Sequence, residues 1–273
     1  MRQKIGIVLL WIGAAGFSSE AIWAQAPRAL IVNAPDGDLT GEDARRLTDL
    51  LRGQGYRVTF LEGREASWAQ VKRQAQGVHV FVYAGHGSNQ GYDGTGGLCL
   101  SGPGYTASDP DYDIIPSSDL EASIRLAPGA IVLFQSVCRG AGSSASDGSD
   151  IGIEEAVRRV ESYSRVFFTM GAAAYCANNY VMGVAAMLER LLAGATLSEA
   201  YEAEATMWNE IAYRGTSTYV PAYHLVISTH HKSGTVTIFT WENGRERRRT
   251  VPRFREYDLA YAGDPAFRLR PAP

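Results

Sequence analysis

Two short apolar runs constrain this chain more than any other feature. Val78-His79-Val80-Phe81-Val82-Tyr83-Ala84-Gly85 ends at His86-Gly87, and Ala130-Ile131-Val132-Leu133-Phe134-Gln135-Ser136-Val137 ends at Cys138-Arg139-Gly140. Both are continuous and β-rich rather than alternating. This is the pattern of strands buried on both faces by helices in a parallel sheet. Chemistry on such a sheet gathers at the carboxyl edge, where strands give way to loops. A His-Gly after one strand and a Cys after another can therefore bring an imidazole and a thiol into one crevice, the minimum for a cysteine nucleophile with its base.

The surrounding pattern supports that sheet. Arg28 to Asn33 is the first strand. Glu42 to Arg52 has helical spacing, with Ala44, Leu47, Leu50 and Leu51 on one face, and Tyr56 to Leu61 is the second strand. Ser67 caps a short helix through Val71 to Ala75, and the third strand, 78 to 84, delivers His86. This βαβαβ rhythm implies right-handed crossovers. A small hairpin is expected around Leu98 to Leu100, and a helix from Ser118 to Leu126, capped by Ser117 or Ser118. The fourth strand reaches Cys138. The Gly/Ser-rich stretch 140 to 150 reads as a mobile loop unable to pack a core, suited to substrate binding or, with Arg158-Arg159 nearby, to self-cleavage.

A fifth strand is expected at Arg165 to Met170, helices at Tyr180 to Leu192 and Leu197 to Ala212, and a sixth strand at Tyr223 to Thr229. Thr235 to Trp241 and Glu246 to Val251 flank Asn243-Gly244, a hairpin signal. The expected fold is thus α/β, a three-layer sandwich around a mostly parallel sheet of about six strands, with a C-terminal β-hairpin.

The first 26 residues read as a signal peptide. Arg2 and Lys4 precede an apolar stretch from Ile5 to Phe17, and Ala24-Gln25-Ala26 is a small-residue cleavage site. Thirteen apolar residues fall short of the ~20 that cross a bilayer. The expectation is secretion or periplasmic export, with residues 27 to 273 as one domain lacking a membrane span. Losing Arg2, Lys4 and Glu20 takes the net charge from −3 to −4, which gives no indication of a nucleic-acid partner. The Arg245, Arg247, Arg248, Arg249, Arg253 and Arg255 cluster reads as a solvated edge.

The motifs carry a resemblance. Phe81-Val82-Tyr83-Ala84-Gly85-His86-Gly87-Ser88 resembles the His-Gly motif of the caspase-like (clan CD) cysteine peptidases. Gln135-Ser136-Val137-Cys138-Arg139-Gly140 is similar to the caspase Cys motif with one extra residue before the Cys. The two catalytic candidates lie 52 positions apart, near the ~50 typical of caspases. Tyr261-Ala262-Gly263-Asp264-Pro265-Ala266-Phe267-Arg268-Leu269 resembles the Gly-Asp-Pro ending of gingipain-type domains, so the resemblance spans roughly Arg28 to Leu269.

The resemblance implies an endopeptidase acting on a protein or peptide substrate, with Cys138 as nucleophile and His86 as acid/base. It also implies an oxyanion hole from the backbone N–H groups of Gly87 and Cys138. A free thiol titrates near ~8.5 and needs such help at neutral pH. Two other readings stand beside it: an inactive binding or scaffold module on the same fold, and a thiol transpeptidase or amidase. Specificity is less defined. Asp93, Asp147 and Asp150 are candidates for an acidic pocket that would take Arg or Lys. Ser136, however, stands where metacaspases and legumains usually carry an acidic residue.

Three cysteines leave one unpaired, and with Cys138 as nucleophile Cys99 and Cys176 become a candidate disulfide. His79 sits inside the third strand and is expected to be a satisfied buried residue. His224, His230 and His231 lack metal-ligand spacing, and Asp109, Asp111 and Asp113 fall short of a calcium loop, so no metal or cofactor is expected.

Overall fold

The computed structural model describes residues 26–89, 96–106, 108, 111–179, 183–208, 210–231, 235–242, 245–252 and 255–269. The expected signal peptide lies outside them, apart from Ala26.

The chain begins as expected, with β1 (Arg28–Asn33), α1 (Gly41–Gly53), β2 (Arg57–Glu62), α2 (Trp68–Gln74) and β3 (Val80–Ala84). Thr40 caps α1 by accepting the Asp43 N–H at 3.1 Å, and Glu42 and Asp43 in the first turn suit the positive end of the helix dipole. After β3 come three short strands, β4 (Gly87–Ser88), β5 (Gly97–Ser101) and β6 (Tyr112–Ile115), which form a sheet of their own in the order β4-β5-β6. Then follow α3 (Ser117–Ser123), β7 (Ala130–Gln135), α4 (Ile153–Thr169), β8 (Ala172–Asn178), α5 (Gly183–Leu192) and α6 (Leu197–Trp208). The remainder is strand: β9 (Glu210–Thr216), β10 (His224–His231), β11 (Thr235–Glu242), β12 (Arg245–Pro252) and β13 (Arg255–Gly263).

The main sheet has eight strands in the order β2-β1-β3-β7-β8-β13-β10-β9. The first five are parallel, whereas β13, β10 and β9 are antiparallel to their neighbours. The mostly parallel six-strand expectation is corrected accordingly: the sheet is larger and mixed. β11 and β12 pair as the hairpin the Asn-Gly signal indicated. Among the described residues no helix is long and apolar enough to cross a membrane.

Alternation along each strand divides its side chains between two cores. Leu30, Val32, Phe81, Tyr83, Val132 and Phe134 face α2, α3 and α4. Ala29, Ile31, Val80, Val82, Ile131 and Leu133 face α1, α5 and α6. Continuous hydrophobic runs are what a sheet covered on both faces requires.

One expected strand is helix. Arg165 to Thr169 forms the last turns of α4, and the strand lies beyond it, in β8. The β-branched and aromatic run Val166-Phe167-Phe168 suggests strand. The buried positions Ala156, Val160, Tyr163 and Phe167, spaced four, three and four, belong to one helix face. Gly171, at φ +112°, ends the helix, and the small residues Ala172 to Ala174 open β8.

The register brings the site together. Asn33 pairs with Ala84, Ala84 with Gln135, and Gln135 with Asn178, so β1, β3, β7 and β8 end in step. Asp36, His86 and Cys138 each lie two or three residues beyond those ends and rise from one edge. Beneath them Phe134 packs edge-on against Tyr163, Phe167 and Tyr175, with ring centroids 5.2 to 5.4 Å apart. Such contacts fix ring orientation as well as burying area.

Candidate active site

His86 and Cys138 meet over neighbouring strand ends. Their side chains are hydrogen-bonded, and each shifts the titration of the other. Burial pushes the Cys138 thiol up. The bond from His86, the Ala145 N–H and the Ser144 hydroxyl outweigh it and bring the thiol down from 9.0 to about 7. His86 is raised above 6.5, first by its bond to Cys138, against burial, and then by the charges of Cys138 and Asp36. Each group is thus shifted toward its charged form, the thiol toward thiolate and the imidazole toward imidazolium.

Asp36, which the sequence reading passed over, completes the group. Its Oδ2 stands 3.8 Å from His86 Nε2 and accepts a hydrogen bond from the Tyr112 hydroxyl. The Tyr112 ring also meets the imidazole edge-on at 5.5 Å. Asp36 sits at φ +55° in the Pro35-Asp36-Gly37 turn, left-handed backbone that Asp tolerates better than most residues. The strand-end rule that located His86 and Cys138 applies equally to this turn after β1.

The nucleophile turn is strained and braced. Ser136 (φ +53°) and Arg139 (φ +68°) bracket Cys138 in left-handed conformations costing of order 1–3 kcal/mol each. Bracing comes from several sides. The Ser136 N–H donates to Asn178 O at 2.7 Å, and its hydroxyl donates to Asp38. Tyr175 donates to Gly140 O at 2.9 Å, and the Arg139 N–H donates to Ser143 O at 2.8 Å.

On the His side, Gly87 is held to very close quarters. A Cβ there would lie 2.3 Å from both Cys138 O and the Tyr163 hydroxyl, so only glycine fits. The Tyr83 hydroxyl lies 2.9 Å from His86 O and 2.7 Å from Cys99 O, tying the His turn to β5.

A cleft of about 420 Å³ opens beside the thiol. Gly87, Ser88 and Asn89 line it on the His side, Cys99 and Ile114 on the small sheet, and Arg139 with Ser144 to Ser146 on the nucleophile loop.

Of the residues named for an acidic pocket, Asp147 and Asp150 do not line this cleft. Asp147 is turned away into an ion pair with Arg159, the side chains only 8% and 10% exposed. Asp150 accepts the Gly152 N–H at 2.9 Å and lies near the Tyr257 hydroxyl, outside the cleft lining. Asp93 lies outside the described residues.

The 140–150 segment is also corrected. Ala141 and Ser143 are buried, and Ser143 exchanges hydrogen bonds with Tyr257 on β13 (2.9 and 2.8 Å), so the segment is packed, at least to Ser143. Arg158-Arg159 lies within α4, with Arg159 buried, a poor site for self-cleavage. The Cys99–Cys176 disulfide is absent, and both are free thiols. Cys176 points from β8 into the core beneath α5 and α6, whereas Cys99 lines the cleft, so the two belong to different layers. His79 lies one residue before β3 and is half-buried rather than buried within the strand; its Nδ1 accepts the Arg28 N–H at 3.3 Å.

Compared with known protein families and with curated proteins, the chain matches none.

Proposed function

We propose that this chain is an exported cysteine endopeptidase of caspase-like fold, acting through an acyl-enzyme on Cys138 with His86 as acid and base. The observation that carries the reading is the hydrogen-bonded His86–Cys138 pair beside an open cleft, with the thiol brought down to about 7. Two covering helical layers, strand ends in register and the His-Gly and Cys turns support it. The basic and apolar N-terminal stretch supports export.

In this mechanism the Cys138 thiolate attacks the scissile carbonyl carbon, forming a C–S bond. The carbonyl electron pair moves onto oxygen, facing the backbone N–H groups of Gly87 and Cys138. As the oxyanion collapses, the C–N bond breaks and imidazolium His86 gives its proton to the leaving amine. Water then attacks the thioester while His86 takes its proton. The C–S bond breaks, releasing the acid product and restoring the thiolate. Asp36 stabilises the imidazolium form throughout, from 3.8 Å.

The test is covalent labelling with peptidyl acyloxymethyl ketones carrying Arg, Lys, Asn or Asp at P1. One of them should label the wild type at Cys138 and leave Cys138→Ala untouched. Labelling that persists in Cys138→Ala contradicts the nucleophile assignment. A wild type that none of the four labels favours a binding module. Faster turnover with an added amine, and its capture in the product, would identify a transpeptidase.

A further inference from the structure

Beyond the dyad, one buried charge is placed where it can govern the thiol. The Arg159 guanidinium donates from Nη1 to Gly142 O at 3.0 Å and to Asp147 Oδ2 at 2.8 Å. Its Nη2 donates to Asp147 Oδ1 at 3.0 Å, and its Nε to Glu155 Oε1 at 2.7 Å. It therefore grips both ends of the segment 142–147. A planar fork with fixed donors suits a bidentate carboxylate and a carbonyl together, which a lysine cannot reproduce.

Between those ends lie the groups that touch the sulfur. Asp147 Oδ2 also accepts the Ser144 N–H at 2.7 Å, which closes a tight turn over Ser144 to Asp147. Within that turn the Ser144 Oγ accepts the Ser146 N–H at 3.3 Å and lies 3.0 Å from the Ser146 Oγ, so the Ser146 hydroxyl can donate to it and leave the Ser144 proton for the sulfur. Ser144 and Ala145 line the same cleft as Cys138, and the Ser144 hydroxyl and the Ala145 N–H both lower its thiol. The guanidinium is thus one carboxylate away from the turn that carries two of the sulfur's donors.

We propose that Arg159 is a positioning residue for the Cys138 thiolate, holding the 142–147 segment so that the Ser144 hydroxyl and the Ala145 N–H stand at the sulfur. The alternative is a staple that stabilises the fold without tuning the thiol. The two differ in pH dependence. A lost thiolate donor slows reaction where the thiol is mostly protonated, and makes no difference where it is fully ionised. The inference rests on Cys138 as nucleophile, but its test needs no peptidase activity.

The experiment is the pH profile of iodoacetamide alkylation at Cys138, quantified by peptide mass, for wild type, Arg159→Met, Asp147→Asn, Ser144→Ala and His86→Ala. Arg159→Met and Asp147→Asn should slow alkylation at pH 7 roughly fivefold or more, with rates converging on wild type above about pH 10. Should Arg159→Met not fold, Asp147→Asn and Ser144→Ala carry the same expectation. A shift in His86→Ala with none in the loop variants overturns the positioning role and leaves the dyad standing. No shift in any variant, His86→Ala included, overturns the dyad reading itself.

Discussion

Asp36 Oδ2 lies 3.8 Å from His86 Nε2, while the same imidazole is hydrogen-bonded to the Cys138 sulfur. A carboxylate on one side and a thiolate on the other both favour the protonated ring, so Asp36 acts on the dyad from the turn after β1. Asp36→Asn keeps the shape and removes the charge. It should lower kcat/KM by less than His86→Ala does, and move the alkaline limb of the pH–rate profile downward, because the imidazolium then loses its proton more easily. An unmoved alkaline limb would show that the carboxylate does not act on His86. The His86→Ala loss itself should be on the order of 10²–10⁴-fold, the usual range for a removed general acid–base.

The acid limb should belong to Cys138. The thiol, at about 7, is lowered despite burial by His86, Ala145 and Ser144. Activity should therefore rise as pH climbs through about 7 and fall again once His86, raised above 6.5, is deprotonated. Initial rates on a peptide substrate across pH 5–10 check this. A profile still rising toward ~8.5, the ordinary thiol value, would mean that the sulfur is not activated.

Gly87→Ala tests how closely the His and Cys turns are packed. The added methyl meets Cys138 O and the Tyr163 hydroxyl at 2.3 Å, and Val137 Cγ1 at 3.0 Å. Overpacking of this kind costs roughly 1–3 kcal/mol. Chemical denaturation should show that loss, and alkylation of Cys138 should slow as its turn is displaced. A variant with wild-type stability and reactivity would contradict the close approach.

All three thiols should titrate as free, with distinct reactivity. Cys138 should react first with a disulfide reagent. Cys99, lining the cleft but pushed up by burial to about 11, should react slowly. Cys176, buried in the core and strongly raised by desolvation, should react only after unfolding. Intact masses with and without reductant should agree. A Cys99–Cys176 cross-link would show the layers to be closer than described.

Much of this was legible in the sequence because the turns that carry His86 and Cys138 follow continuous hydrophobic strands. Val80 to Ala84 and Ala130 to Gln135 are buried along their whole length, so their β character is unmistakable, although the apolar runs extend past the strands: β3 opens at Val80 rather than at 78, and β7 ends at Gln135, short of Cys138. β8 was misplaced because its opening residues, Ala172 to Ala174, are small, while the aromatic run of α4 imitates a strand. β13 was missed although Tyr257 to Gly263 is buried; its pairing with β8 and β10 comes from residues far away in the chain, which local pattern does not reveal.

Asp147 was offered for an acidic pocket for a related reason. Asp147 stands in a Gly/Ser stretch that looks solvated, and only the fold brings Arg159 against it from α4. Asp36 was overlooked because a Pro-Asp-Gly turn ordinarily needs no role beyond turning. Ser144 and Ala145 carry no motif, and they reach the sulfur only because the loop folds back on Ser143 and Asp147.

The central claim is that Cys138 and His86 together cleave peptide bonds. It is tested most directly by incubating a defined peptide pool with wild type, Cys138→Ala and His86→Ala, and sequencing the new termini by mass spectrometry. The account predicts new termini sharing a P1 preference in the wild type, none in Cys138→Ala, and a trace in His86→Ala. An intact pool with folded wild-type protein, or the same termini appearing with Cys138→Ala, would contradict it.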